Sequence, residues 1–424
     1  MKAVSLKSRE HLAPTPRPGM LDGLARRLVC GRLAGIEDGL LTIRDGNHHY
    51  DFGQTGSEER LSAAITVNDP RFYGDIAFGG SIGAAESWMH GYWDCDDLVT
   101  LVRIMARNRD MLDGMEGGLA WFSRPIQRLF HWVNRNTRQG AQRNIAAHYD
   151  LGNDFFALWL DESMMYSCAI FDHEGATLAE AQQTRLERIC QRLDLNPEDH
   201  LVEIGSGWGS LAIYAASYYG CRVTTTTISA RQYELARQRI DAAGMQDRVT
   251  LLLQDYRDLE GRYDKLVSLE MIEAIGHSQY ETYFAKCADL LRPGGRMLIQ
   301  AITIEDDRFE QYRKNVDFIQ RYIFPGSCIP SEKVMRDTIA RATDLNVVSV
   351  EDIGLHYATT LNHWRRNFVR NLDAVRALGY PQEFIRMWEF YLCYCEGGFL
   401  ERSISDVLLL AESSPLIPPI RTFC

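Results

Sequence analysis

The sequence predicts an α/β protein built on a mostly parallel sheet, with a smaller α+β domain ahead of it. Three observations carry that prediction. From His200 onward, strand-like apolar runs alternate with helical ones, the pattern of an open sheet with crossover helices. The first of these strands runs straight into three closely spaced glycines that open a helix. The composition, 46% apolar and 24% charged over 424 residues, is that of a chain that folds throughout and is long enough for two or three domains.

Ahead of the sheet, apolar positions recur at helical spacing from Leu21 to Leu33. LLTIRDGNHHYDFG then reads as two short strands joined at Asp45-Gly46, a pair suited to the positive φ angles of a type I′ turn. A strand at LSAAITV, a glycine turn at Gly79-Gly80, a helix around Ala84 to His90 and another from Asp97 to about Arg109 complete an α+β module, taken as residues 1–112. It holds no catalytic constellation.

Residues 113–143 form the sharpest change of composition, with Trp121, Phe122, Leu129, Phe130 and Trp132 interleaved with Arg124, Arg128, Arg135, Arg138 and Arg143. Rings settle at headgroup depth and arginines meet phosphates, so the stretch fits a lipid interface. It fits equally a linker whose rings pack on a neighbouring domain.

The sheet belongs to residues 144–424, with strands at LVEI (201–204), VTTTTI (223–228), VTLLL (249–253), KLVSL (265–269) and MLIQAI (297–302). Helices start near Ser210, Ala230 and Ser278, and Pro293-Gly294-Gly295 turns the chain into the fifth strand. Beyond Ile304 the chain reads as largely helical, with one further strand at VVSVEDI and an irregular PLIPPI segment.

The 46 Lys and Arg against 57 Asp and Glu leave a net charge of −11, which gives no overall positive field for nucleic acid. Ten cysteines are scattered without a CxxC pair, so a reducing, cytoplasmic compartment is expected. No run of about 18 uncharged apolar residues occurs, so no membrane span is expected. The histidines make no HxxxH or HxH pattern, and no metal site is expected.

At the end of the first strand, Glu203-Ile204-Gly205-Ser206-Gly207-Trp208-Gly209 leads into a helix. Glycines let backbone pass close beneath a ligand, and a helix N-terminus offers unpaired N–H groups. The spacing is GxGxG rather than GxGxxG, and the second strand ends in Thr226-Thr227-Ile228-Ser229 with no carboxylate for a ribose. That argues against a nicotinamide dinucleotide and for S-adenosylmethionine (SAM).

The segment NIAAHYDLGNDFFALWLDESMMYSCAIF (144–171) resembles the hallmark of the cyclopropane-fatty-acyl-phospholipid synthase family, SAM-dependent enzymes that add a methylene across a cis double bond of a phospholipid acyl chain. EIGSGWGS, TTTTISARQ, SLEMIEAIG, RYIFPGSCIPS, HYATTLNHW and YLCYCEGGF follow in the family's order across 140–410. The resemblance implies a Rossmann-like methyltransferase sheet with helical lipid-binding insertions. It also implies an amino-terminal module similar to the lipid-binding, dimer-forming domain of longer members, and hence a homodimer.

By the same resemblance Tyr166, Ser167, Gly205, Gly207, Thr227, Ile228 and Gln232 surround SAM, and Asp255 and Tyr256 lie at the adenine. A carboxylate to accept from the exocyclic amine and a ring to stack suit that place. Asp255 also reads as a turn residue.

An isolated alkene is a poor nucleophile, so it has to be held in line with the sulfonium methyl in a dry cavity. Methyl transfer leaves a carbocation, which aromatic faces stabilise, and a base must take a proton from the new methyl group to close the ring. The family is thought to use a bound bicarbonate as that base. The resemblance places it near Cys168, Glu273, Tyr357 and Ile302, the last through its backbone, with Glu270 as the other candidate acid. Cys168 is expected as a ligand, not a nucleophile.

Gln300, in LIQAIT, is a departure, because well-known bacterial and mycobacterial members carry histidine there. Glutamine can donate to bicarbonate but cannot take up a proton near neutral pH. Ring closure and methylation to a methyl- or methylene-branched chain both stay open. Peripheral contact with the inner face of the membrane is expected through residues 121–143 or through His363-Trp364-Arg365-Arg366-Asn367-Phe368-Val369-Arg370, which reads equally as an exposed helix face. A methyltransferase for a polar small molecule and a lipid-binding scaffold with a decayed site are the rival classes; the intact glycines argue against the scaffold.

Overall fold

The computed structural model describes residues 20–54, 60–109 and 151–414. The basic-aromatic stretch and the first residues of the 144–171 motif lie outside them. The described residues form two compact units, one of residues up to 109 with 316–323 and 361–403, the other of residues 151–315, 324–360 and 404–414.

In the first unit, strands β1 (Gly39–Asp45), β2 (His48–Gln54), β3 (Ser62–Val67) and β4 (Trp93–Cys95) form a sheet in the order β2-β1-β3-β4. The hairpin closes at the expected place, with Asp45 opposite His48 and Gly46 at φ 58°. The glycine turn is instead a kink inside a longer helix, Arg71–Met89, bent at Gly80 (φ 58°, ψ −138°). Asp97 caps the helix Leu98–Arg107 by accepting from Thr100 N at 3.0 Å.

The helix Gln382–Leu400 belongs to this unit, although the sequence places it within the segment 144–424. Its buried face includes Trp388, Leu392 and Phe399, and Trp88 Nε1 donates to Arg386 O at 2.9 Å. The Arg386 guanidinium lies 3.9 Å from the centre of the Trp88 ring. The division at residue 144 therefore does not coincide with the compact units. The His363–Arg370 segment is also split by packing: Trp364 and Phe368 are buried, and Arg365 Nε donates to Glu396 at 2.7 Å. Arg366, Val369 and Arg370 remain exposed.

The second unit holds β5 (His200–Ile204), β6 (Arg222–Thr227), β7 (Val249–Leu253), β8 (Tyr263–Leu269), β9 (Leu291–Ile304), β10 (Leu345–Asp352) and β11 (Ile404–Ser413), in the order β10-β11-β9-β8-β5-β6-β7. The five strands from β9 to β7 are parallel, and β11 runs antiparallel to both β9 and β10. Leu291 pairs with Tyr263 and Arg296 with Lys265, so Pro293-Gly294-Gly295 bulges out of the ladder. Strand β11 departs from the sequence reading, which made this region helical. Its run VLLLA is buried, as expected for an inner strand, and so lacks the alternation that marks a half-exposed one.

The strand order reverses between β8 and β5, and ligands of open α/β sheets bind outside the carboxyl ends of the strands at such a point. Residues 205–209 and 270–275 leave the sheet there. Among the described residues no helix is long and apolar enough to cross a membrane.

A β-carbon on Gly397 would come within 2.6 Å of Val102 Cγ1 and 3.3 Å of Val99 O, so glycine allows the close approach of two helices in the first unit. Gly397→Ala is expected to lower stability by about 1–3 kcal/mol, measured by denaturant unfolding.

Candidate active site

The loop after β5 needs glycine at three places. Gly205, Gly207 and Gly209 stand at φ 98°, 48° and 88°, in the region that side chains disfavour. Gly205 N and Ser206 N both donate to Thr226 O, at 3.1 and 2.8 Å, which anchors the loop to β6. A β-carbon on Gly209 would lie 3.4 Å from Ala236 Cβ, whereas one on Gly207 would meet nothing within 4 Å. The loop thus packs on its helix side and is open at Gly207, which fits a ligand passing over its backbone. Glu203 is buried behind it, accepting from Thr225 Oγ1 at 2.6 Å, and burial pushes its carboxyl up to about 8.

Thr227 Oγ1 donates to Gln232 Oε1 at 2.9 Å and accepts from Ser229 N at 3.1 Å, so these polar groups are positioned together with Ile228 between them in sequence. Asp255 accepts from Arg257 N, Nε and Nη2 at 3.0, 2.8 and 2.6 Å, and the guanidinium holds its carboxylate in one orientation. The Tyr256 ring is buried in the hydrophobic core, edge-on to Tyr283 at 5.5 Å, with the Arg257 guanidinium 5.6 Å from its centre. Tyr166 is half-buried within an aromatic group, 5.2 Å from Trp159, 5.4 Å from Phe156 and 6.3 Å from Phe324.

A second cluster sits at the exit of β8. Glu270 N extends the ladder by donating to Gln300 O at 2.8 Å, and its carboxylate accepts from Cys168 N at 2.7 Å, Gln300 Nε2 at 2.7 Å and the Tyr357 hydroxyl at 2.6 Å. The other hydrogen of Gln300 Nε2 goes to Asp406 Oδ2 at 2.7 Å, and Gln300 Oε1 accepts from Arg185 Nη1 at 3.0 Å. Both amide hydrogens of Gln300 are thus engaged, and neither is left for the bicarbonate that the sequence reading gave it. The same Arg185 nitrogen donates to Ser167 Oγ, and Gln182 Nε2 donates to Ser167 O at 3.0 Å, fixing the Tyr166-Ser167-Cys168 segment.

Glu273 lies apart from this hub. Its Oε1 accepts from Ile302 N at 2.6 Å, and its buried Oε2 has no hydrogen-bond partner among the described residues. Burial, then the neighbouring Glu270 charge, pushes its carboxyl up to about 8. Burial likewise holds the Cys168 thiol well above its ordinary range, which keeps it a neutral thiol. The structure therefore gathers Cys168, Gln300 and Tyr357 on Glu270, and Ile302 on Glu273.

Sequence reasoning missed Arg185 and Asp406, both fully buried. Arg185 shares the buried face of the helix Leu178–Leu193 with Leu178, Ala181 and Leu186, and a charge on such an apolar stripe was the available signal. Asp406 sits on the unexpected strand β11 and carried no signal of its own.

The model of the mycolic acid cyclopropane synthetase family matches residues 136–408. The chain belongs to that family. It is 42% identical over 361 residues to a tuberculostearic acid methyltransferase of Mycobacterium tuberculosis, covering 83% of either chain. It is 36% identical over 347 residues to a cyclopropane-fatty-acyl-phospholipid synthase of Escherichia coli, covering 81% of this chain and 86% of that one. A solved mycolic acid cyclopropane synthase complexed with SAH and CTAB matches with a TM-score of 0.60 at 29% identity, over 64% of this chain and 98% of that one. The family resemblance read from the motifs holds, and the chain is a SAM-dependent methyltransferase.

Gly205→Ala would force a side chain into φ 98° with its β-carbon 3.4 Å from Met271 Cγ, a strain of about 1–3 kcal/mol. SAM affinity is expected to fall about tenfold or more, read by calorimetric titration.

Proposed function

We propose that the chain transfers a methylene from SAM to the cis double bond of an unsaturated phospholipid acyl chain and closes a cyclopropane ring. The observation that supports this most is Glu273: a buried carboxyl with one oxygen fixed by the Ile302 N–H and the other unpartnered, at the same strand ends as the glycine loop. When bound, SAM supplies an electrophilic methyl on a sulfonium. The loop at Gly205 and Gly207, with Thr227, Ile228 and Gln232 on one side and Tyr166 and Ser167 on the other, binds and orients it. Asp255 accepts from the adenine amine.

The aromatic group around Tyr166 suits a passing cation, because ring faces carry negative charge density. Below about pH 8 Glu273 is neutral, and its Oε2 can donate a hydrogen bond to a bicarbonate placed against Cys168 and Tyr357. That anion then accepts the proton lost on ring closure. A lipid substrate agrees with the names of the relatives, one of them a fatty-acyl-phospholipid synthase. Peripheral membrane contact on the cytoplasmic side through residues 121–143, and a homodimer through the amino-terminal module, belong to the same proposal.

A second reading, methylation without ring closure, is favoured by the 42% identity to a protein named as a methyltransferase and by Gln300 in place of a group that can take up a proton. Expression in a host lacking its own synthase separates the two. Mass spectrometry of the fatty acids is expected to show one added CH2, and proton NMR the upfield cyclopropane signals. A mass gain without those signals selects branching, and no mass gain with SAM bound removes both.

The Glu273 carboxyl is raised from the ordinary 4.5 to about 8, so it stays neutral up to that pH and becomes an anion-repelling carboxylate above it. Turnover is expected to decline as pH rises through about 8. Glu273→Gln should flatten that decline and lower turnover with SAM affinity nearly unchanged; a pH-rate profile with SAM titrations checks both.

A further inference from the structure

Two arginines hold the stretch of chain that leads through Tyr166 and Ser167, one at each end. Upstream, Ser163 N donates to Asp161 Oδ2 at 3.0 Å and Met164 N to Asp161 O at 2.9 Å, closing a tight turn. Met164 stands at φ 57°, a left-handed backbone that a side chain disfavours and that persists only where its surroundings hold it. Arg239, half-buried on the helix Ala230–Ala242, supplies one hold. Its Nη1 donates to Ser163 O at 2.9 Å and to Trp208 O at 3.1 Å, and its Nη2 to Glu162 O at 3.3 Å. One guanidinium thus joins the turn to the glycine loop. Ser210 Oγ also donates to Ser163 O, and Trp208 Nε1 donates to Asn153 Oδ1 at 2.8 Å. Downstream, Gln182 Nε2 donates to Ser167 O at 3.0 Å, and Arg185 Nη1 donates to both Ser167 Oγ and Gln300 Oε1. Nε and Nη2 of Arg185 are buried with no hydrogen-bond partner among the described residues. A guanidinium so short of acceptors, in a helix stripe with Leu178, Ala181 and Leu186, is costly as packing alone, and the two bonds from Nη1 are what it contributes.

We propose that Arg239 and Arg185 are positioning residues for the cofactor: Arg239 pins residues 162–164 to the glycine loop, Arg185 pins Ser167 to β9, and only Arg185 extends its hold to Glu270. The inference rests on the reading that Tyr166, Ser167 and the glycine loop surround SAM. Those walls come from separate stretches of chain, so the site is competent only while they are in register. Removing a hold lowers the fraction of molecules in register, and the apparent affinity falls by the same factor. The bonds of Arg239 end on backbone carbonyls of the turn and the glycine loop. Arg185 also orients Gln300, whose Nε2 donates to Glu270 at 2.7 Å, and Glu270 accepts in turn from Cys168 N and the Tyr357 hydroxyl. Losing Arg185 therefore disturbs the groups at the exit of β8 as well as the cofactor.

The test sets SAM affinity, by calorimetric titration, against turnover at saturating SAM, read as S-adenosylhomocysteine release on unsaturated-phospholipid vesicles. Wild type, Arg239→Met and Arg185→Met are compared, with melting temperature and amide hydrogen exchange of residues 162–169 alongside. Arg239→Met is expected to weaken SAM about tenfold, lower turnover by less than about threefold and speed exchange in that segment. Arg185→Met is expected to weaken SAM about tenfold and lower turnover about 30-fold or more. Saturating SAM should restore slow exchange in both variants. An Arg239→Met protein that binds SAM within about twofold of wild type, or an Arg185→Met enzyme whose turnover falls no further than that of Arg239→Met, overturns the proposal. So does faster exchange spread evenly over the whole chain, the mark of general destabilisation. If Arg185→Met does not fold, Arg185→Lys, shorter and with one nitrogen, is read against the same thresholds. A crystal structure of the wild type with S-adenosylhomocysteine separates the two levels. A ligand touching neither Tyr166 nor Ser167 overturns the SAM-site reading and the proposal with it, whereas a ligand on those residues with affinity unmoved in Arg239→Met overturns the proposal alone. A wild type that releases no S-adenosylhomocysteine on these vesicles overturns the alkene reading and the link from Arg185 to turnover, and the SAM affinities still decide the two holds.

Discussion

The Glu270 carboxylate and its hydrogen bonds are the interaction on which the site depends. Three donors from separate parts of the chain converge on it: the Cys168 N–H before the helix Leu178–Leu193, the Gln300 amide on β9 and the Tyr357 hydroxyl. Burial raises the Glu270 carboxyl, and the donated hydrogen bonds from Tyr357 and Cys168 work against that by favouring its charged form. The segment that carries Cys168 and the strand that carries Ile302 are therefore both tied to one group. The left-handed backbone at Glu270 is the strain that this convergence offsets.

Burial then assigns protonation states. The Cys168 thiol and the Glu273 carboxyl are pushed toward their neutral forms, while Arg185 keeps a positive charge beside Glu270 although burial works against it. The site has polar groups in quantity but little net charge, a suitable lining for an apolar chain that turns briefly into a cation. At the adjacent strand end stand the open backbone at Gly207 and the fixed Thr227–Gln232 pair. Strand order puts the two halves at one crevice: the glycine loop leaves β5, Glu270 leaves β8, and the reversal of the sheet lies between them.

Much of this was legible in the sequence, for identifiable reasons. Strands β5 to β10 are bounded by glycine, proline and helix-capping residues, and their patterns gave position and order. The glycine spacing pointed to the right class of cofactor. Strand β11 was lost because a continuous apolar run does not separate a buried strand from a buried helix, and Asp406 was lost with it. Arg185 went unread because a single charge within an apolar helix stripe does not by itself say that the position is buried. For Gln300 the residue was identified, yet the destination of its two hydrogens depends on a strand more than 100 positions away in the chain. Tyr256 follows β7, and its edge-on contact with Tyr283 is one that no local pattern announces. The association of residues 361–403 with the amino-terminal module has the same origin, since an apolar helix face does not name the surface it will cover.

Neutron diffraction from crystals of the SAM-free enzyme near neutral pH tests the central claim most directly, because it locates the hydrogens themselves. Hydrogens on Cys168 N, Gln300 Nε2 and the Tyr357 oxygen, all directed at the Glu270 carboxyl, are the expected result. A Gln300 amide turned to present its oxygen to Glu270, or a phenol hydrogen pointing away from Glu270, would contradict it.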